Sequence, residues 1–205
     1  MGLDKLDQSP VNPTIARQWL LPIIAMLVAL LLLFGGETAR EGFRFDRVGI
    51  ASGQLWRLAS GHFVHLGWPH FALNIAGLGL VWYLVGDVFD RRRWLVIGAV
   101  SVCTMDLGLW YFDPELRWYV GLSGLLHGIL AAGLTEKLRK PDPETLLLAV
   151  LLLGKLAWEQ FSGPLPGSEG TAGGPVVVDS HLFGALGGAL TALALRIRVR
   201  PATPI

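Results

Sequence analysis

The sequence predicts an all-α, polytopic membrane protein, and three observations predict it. Only 16% of the 205 residues are charged, against about a quarter in a soluble domain. Mean hydropathy is +0.51. Six apolar runs approach or reach the length a helix needs to cross ~30 Å of hydrocarbon, and the segments between them hold most of the charge. The 17 Lys and Arg against 16 Asp and Glu leave a formal charge of +1, so no basic field exists to draw nucleic acid. The single cysteine, Cys103, cannot form an internal disulfide and reads as a buried small hydrophobe.

Residues 18–36 carry no formal charge. The run is longer than the apolar part of a secretory signal, so it is expected to stay as the first spanning helix. Residues 37–69 mix charge with Gly, Trp and His; they are too polar to span and too aromatic for a plain linker, and are expected to form an ordered external loop on the membrane surface. Five more helices are predicted over 71–88, 94–111, 122–135, 145–161 and 176–195. Asp106 interrupts the third span, and Lys155 and Glu159 the fifth, where a central charge costs a few kcal/mol. The Gly/Pro-rich run 162–175 reads as a flexible external loop.

A six-span layout puts eleven Lys and Arg on one side: Lys5, Arg17, Arg91, Arg92, Arg93, Lys137, Arg139, Lys140, Arg196, Arg198 and Arg200. The other side holds five: Arg40, Arg44, Arg47, Arg57 and Arg117. The positive-inside rule then makes both termini cytoplasmic. The expected division is a tail over 1–17, a membrane domain over 18–196 and a tail over 197–205.

Polar groups at bilayer depth are functional candidates, and the five histidines are not scattered. His62, His65 and His70 precede or open the second helix, His127 lies in the fourth, and His181 is near the outer end of the sixth. The fourth helix opens Gly121-Leu122-Ser123-Gly124. There a Ser hydroxyl sits uncrowded beside backbone N–H groups that a helix start leaves free to hold an oxyanion; in isolation, Ser123 is equally a packing residue of a glycine-rich helix. Gly124 and Gly128 match Gly184 and Gly188, one turn below His181. Two such small-residue faces let helices approach closely, which would set Ser123 and His181 at one depth as nucleophile and base, or would serve packing alone. His70 and Asn74, at i and i+4, share a helix face as oxyanion donors or as polar glue between helices.

Gly-Leu-Ser-Gly, His181-x-x-Gly-x-x-x-Gly, His70-x-x-x-Asn74 and the loop pair Trp56-Arg57 occur in an order that resembles the rhomboid intramembrane serine proteases, over residues 56–188. The resemblance implies a six-helix rhomboid-like bundle and a Ser123/His181 dyad with no required acidic third member. It also implies an oxyanion site from His70, Asn74 and backbone near Ser123, with Gly121, Gly124, Trp56 and Arg57 in support. Asp179 points away on its helix and is not expected to complete a triad. His127 stands where ordinary rhomboids usually carry an aromatic, and Gly-x-Ser-Gly-x-x-His-Gly resembles the rhombosortase branch, as do the short termini and Lys155-x-x-x-Glu159-Gln160. That branch implies a Gram-negative inner membrane, a site near the periplasmic side, and membrane-anchored substrates with a C-terminal Gly-Gly tail.

His127 lies at i+4 from Ser123 and could compete as base; the family match favours His181 and leaves His127 a supporting, substrate-contacting or structural role. Lys155 and Glu159, also i and i+4, are expected to pair or to recognise the tail or a phospholipid head group. Asn74, His127 and Lys155 are the candidate partners of Asp106. A transporter relaying protons through the intramembrane charges is the alternative class, but no inverted repeat is visible; a pseudoprotease is disfavoured by the presence of both Ser123 and His181. No His-Glu-x-x-His motif exists, so no metal is expected, nor any cofactor. Substrate identity, hydrolysis against transpeptidation and oligomeric state stay open.

Overall fold

The computed structural model describes residues 18–197, and almost every regular element in it is helical. The predicted tails, with Lys5, Arg17, Arg198 and Arg200 of the charge count, lie outside the described residues except for Ile197. The first apolar run forms α1 (Leu20–Phe34) and breaks at Gly35-Gly36, where the chain turns through 117° into α2 (Gly36–Phe43). The first loop is ordered, as expected. It contains β1 (Phe45–Asp46), α3 (Arg47–Ala51), α4 (Trp56–Ser60) and a 3-10 turn over Gly61–Phe63. Arg47 pins this loop to the bundle by donating to the carbonyls of Leu109, Trp110, Asp113 and Leu116.

The long helices follow: α5 (Trp68–Val85), α6 (Arg91–Phe112), α7 (Ser123–Lys137), α8 (Pro143–Ser162) and α10 (Val178–Ile197). Local chemistry sets their starts. Pro69 fits the first turn of α5. Asp90 and Asp142 accept the N–H groups of Arg93 (3.0 Å) and Thr145 (2.7 Å), capping α6 and α8. α5, α6, α8 and α10 are long and apolar enough to cross a membrane, and the bent α1–α2 pair makes a fifth candidate. Large apolar side chains such as Leu31, Tyr83 and Phe161 are exposed, which suits a surface facing lipid tails. The chain is therefore an all-α multi-pass membrane protein.

The fourth predicted span, α7, is different in kind. At 15 residues it rises about 22 Å, short of the ~30 Å hydrocarbon core. Its sequence still forms a helix there because α5, α6, α8 and α10 surround it, and nine of its residues are buried, including Leu125, Leu126, Ile129 and Ala132. Between α6 and α7, β2 (Trp118–Tyr119) pairs antiparallel with β1, Phe45 opposite Tyr119 and Asp46 opposite Trp118. This ladder fixes the approach to Ser123. The run 162–175, expected as a flexible loop, instead carries a short helix, α9 (Ser168–Ala172), which packs on α5. Cys103 also departs from expectation: it is exposed on the apolar flank of α6.

Candidate active site

α7 and α10 meet backbone to backbone. A methyl placed on Gly124 would strike Met105 and the Ser180 carbonyl, one on Gly184 would strike the Gly124 carbonyl, and one on Gly188 the Gly128 carbonyl. These four glycines form one seam, as their spacing predicts. The seam brings the first residue of α7 level with the first turn of α10, and His181 Nε2 lies 2.9 Å from Ser123 Oγ. His181 is only 4% exposed.

A carboxylate completes the arrangement, and sequence reasoning did not assign it there. Glu159 Oε2 lies 2.9 Å from His181 Nδ1. Nδ1–H therefore donates to Glu159, which leaves Nε2 as the acceptor for the Ser123 hydroxyl. Lys155 Nζ donates to the other oxygen, Oε1, at 2.6 Å. The pairing within α8 is thus present, but the same carboxylate reaches across to α10. The 3.3 Å approach of Lys155 Nζ to His181 Nδ1 sets two donors side by side, and their shared partner is Glu159. The available signal was positional: Glu159 falls in the last turn of α8, and His181 in the first turn of α10.

Asp179 takes no part; its Oδ1 accepts from Gln160 Nε2 at 3.2 Å. His127 makes no hydrogen bond to the serine hydroxyl, which is engaged by His181. Its Nδ1–H donates to the Ser123 backbone carbonyl (2.7 Å), and its ring stacks on His181, with centroids 4.2 Å apart and planes 20° apart. Ligand-capable atoms of His127, Glu159 and His181 fall within 4.8 Å of one another. Stacked rings aim their in-plane lone pairs side by side, whereas a metal requires convergence; the set fits proton transfer better than an ion.

On the facing wall, His70 and Asn74 of α5 line a cavity of about 230 Å³ together with Ser123, His127, Lys155, Glu159 and His181. The Leu66 N–H points at His70 Nδ1 (3.4 Å), so the proton belongs on Nε2. Asn74 spends one amide hydrogen on the His70 carbonyl (3.0 Å) and keeps the other. Residues of the loop before α10, Leu165, Ser168, Ala172 and Val176, roof this cavity.

Gly121 adopts φ +128°, with its N–H donating to the Gly61 carbonyl (3.2 Å). A side chain there would collide with the His70 ring. Tyr119 donates to the Gly121 carbonyl at 2.6 Å; burial pushes its phenol up to about 12, so it remains a donor. Nearby, burial and the neighbouring His70 imidazole hold His65 down at about 4. Trp56 and Arg57 are not at the site. Trp56 Nε1 donates to the Gly42 carbonyl, and Arg57 to Gln54 and the carbonyls of Glu41 and Arg44, so both brace the first loop. Asp106 pairs with none of its three candidates; its Oδ1 meets the buried His62 Nε2 at 3.2 Å.

Residues 52–198 match the family model described as the Rhomboid domain. The chain belongs to the rhomboid family. That family consists of intramembrane serine proteases, and the match covers every site residue above. The chain is also similar to the "Putative rhomboid protease YdcA" of Bacillus subtilis (strain 168), with 26% identity over 119 residues, 54% of this chain and 60% of that protein. The alignment thus spans less than two thirds of that relative.

Proposed function

We propose that this rhomboid is an intramembrane serine endopeptidase of the rhombosortase type. The observation that carries the proteolytic reading is the chain Ser123 Oγ, His181, Glu159, with hydrogen-bond distances of 2.9 Å on both sides of the imidazole. Ser123 Oγ attacks a peptide carbonyl while His181 Nε2 takes its proton, and the imidazolium then protonates the leaving amine. Glu159 holds the ring in the tautomer this requires and offsets the imidazolium charge. His70 Nε2–H, the spare Asn74 hydrogen and the free N–H groups of the first turn of α7 are the donors for the oxyanion. Water or another amine releases the acyl group from Ser123.

Two features support the branch. His127 occupies the stacking position on His181, and Lys155 puts a cation on the cavity wall. A Gly-Gly site suits a scissile bond at helix depth, because Gly weakens a helix by about 1 kcal/mol relative to Ala and frees carbonyls for attack. The substrate is then a protein anchored by a C-terminal tail, reached between α5 and α8, whose residues face each other across the cavity. The setting is a bacterial inner membrane, with residues 18–196 as the membrane domain, tails 1–17 and 197–205 cytoplasmic, and the site towards the periplasm.

The test is co-expression with a membrane-anchored reporter carrying a Gly-Gly tail, using wild type, Ser123→Ala, His181→Ala and His127→Ala, each checked for insertion. Cleavage lost with the first two substitutions is expected, with partial activity in His127→Ala. Cleavage of only a generic transmembrane reporter overturns the sorting role and keeps the protease. No Ser123-dependent cleavage of either overturns both and favours a non-proteolytic helix-binding protein.

A further inference from the structure

A large apolar cavity lies away from Ser123. It measures about 530 Å³, within the roughly 300–1,000 Å³ of ligand cavities, and opens between α1 and α6 against a floor formed by α5 and α7. On α6 it is lined by Trp94, Leu95, Gly98, Ala99, Val102 and Cys103. From Trp94 to Cys103 the helix rises about 14 Å, the depth of one leaflet of a ~30 Å core. The lining is carbon throughout except for the Cys103 thiol and two indole nitrogens, both of which are engaged: Trp94 Nε1 donates to the Gly86 carbonyl and Trp82 Nε1 to the Gln18 carbonyl.

The turn of α6 that precedes this lining is charged. Arg91 stands three and seven residues before Trp94 and Gly98, and Arg92 three and seven before Leu95 and Ala99, so both continue the cavity-lining face of α6 by one turn. Both are exposed, and neither has an ion-pair partner among the described residues. The carboxylates nearest to them in sequence are Asp87 and Asp90, and Asp90 is engaged by Arg93. Trp82 and Trp94, with rings 5.5 Å apart, wall the cavity next to this turn.

We infer that this cleft is a binding site for one anionic phospholipid, its acyl chain between α1 and α6 and its phosphate on Arg91 and Arg92. Leu126 lines both this cavity and the one at Ser123, so the lipid packs against the helix that carries the nucleophile. The site stands on its own residues and does not depend on the protease reading.

The test is native mass spectrometry of the full chain released from nanodiscs of equimolar phosphatidylglycerol and phosphatidylcholine. Each basic side chain at an anionic surface contributes roughly fivefold, so wild type should retain one phosphatidylglycerol about 25-fold over phosphatidylcholine. Arg91→Gln/Arg92→Gln should erase that preference while a lipid of either kind still binds. Gly98→Leu should abolish retention by filling the cavity; a Cβ there has room, its nearest neighbour being the Leu125 Cδ1 at 3.9 Å. Ala99→Phe supplies a second cavity-filling variant if Gly98→Leu fails to insert. Equal retention of the two lipids by wild type, no retained lipid at all, or full retention by the filled variants overturns the inference.

Discussion

Replacing Glu159 by Gln tests the site more sharply than removing it, because the outcome turns on which way one amide points. Lys155 Nζ lies 2.6 Å from Oε1 and can only donate, so it claims the single oxygen of a Gln side chain. The amide nitrogen then faces His181 Nδ1 at the 2.9 Å position. Two donors cannot meet there, and His181 must move its proton to Nε2, the nitrogen that should accept from Ser123. A base locked in the wrong tautomer costs about 10³- to 10⁴-fold in kcat, or roughly 4–5.5 kcal/mol of barrier. Adding Lys155→Met removes the competing donor, lets the Gln oxygen turn to His181, and should recover at least about tenfold of that loss. The assay is reporter cleavage at saturating substrate in detergent, with KM followed alongside. Glu159→Gln within about threefold of wild type, or a double variant no faster than the single, would refute the positioning role.

Three further outcomes follow from the packing. Gly184→Ala forces a methyl against the Gly124 carbonyl; thermal unfolding should show a loss of about 1–3 kcal/mol together with a fall in cleavage, and an unchanged melting curve would contradict the seam. Asp106→Leu leaves buried His62, whose Nδ1 already has no partner, without any hydrogen bond, costing about 1–3 kcal/mol, whereas Asp106→Asn keeps an acceptor and should cost less; equal losses would count against the pair. His65 is buried with its pKa held at about 4, against an ordinary 6.5. The unfolded chain therefore binds the proton first as pH drops. Its contribution is fully present above pH 6.5 and is lost as pH falls towards 4, up to about 3 kcal/mol; His65→Gln should flatten that limb of the stability profile.

Much of this site could be read from one sequence because its chemistry is tied to short motifs on packed helices. Gly124, Gly128, Gly184 and Gly188 announced a close contact, and that contact alone sets Ser123 against His181. Helix positions were equally legible, since apolar runs of 15 to 22 residues leave few alternatives in lipid. Glu159 was legible as half of an i, i+4 pair with Lys155 or as a recognition residue, but its reach from α8 to α10 depends on relative depth, which no local pattern encodes. Asp106 and His62 stand 44 positions apart, and their pairing needs the first loop folded down by Arg47 onto α6. Residues 162–175 read as loose because Gly and Pro dominate them, yet packing against α5 gives them a helix.

The least buried of the long spanning helices is α8. Ser123 and His181 ride on two helices fused along their glycines, while Glu159 and Lys155 ride on α8 alone. An outward displacement of α8 therefore leaves nucleophile and base in register but carries the carboxylate away from the imidazole. The orientation of the base in this rhomboid thus rests on a helix that is not part of the glycine seam holding nucleophile and base together.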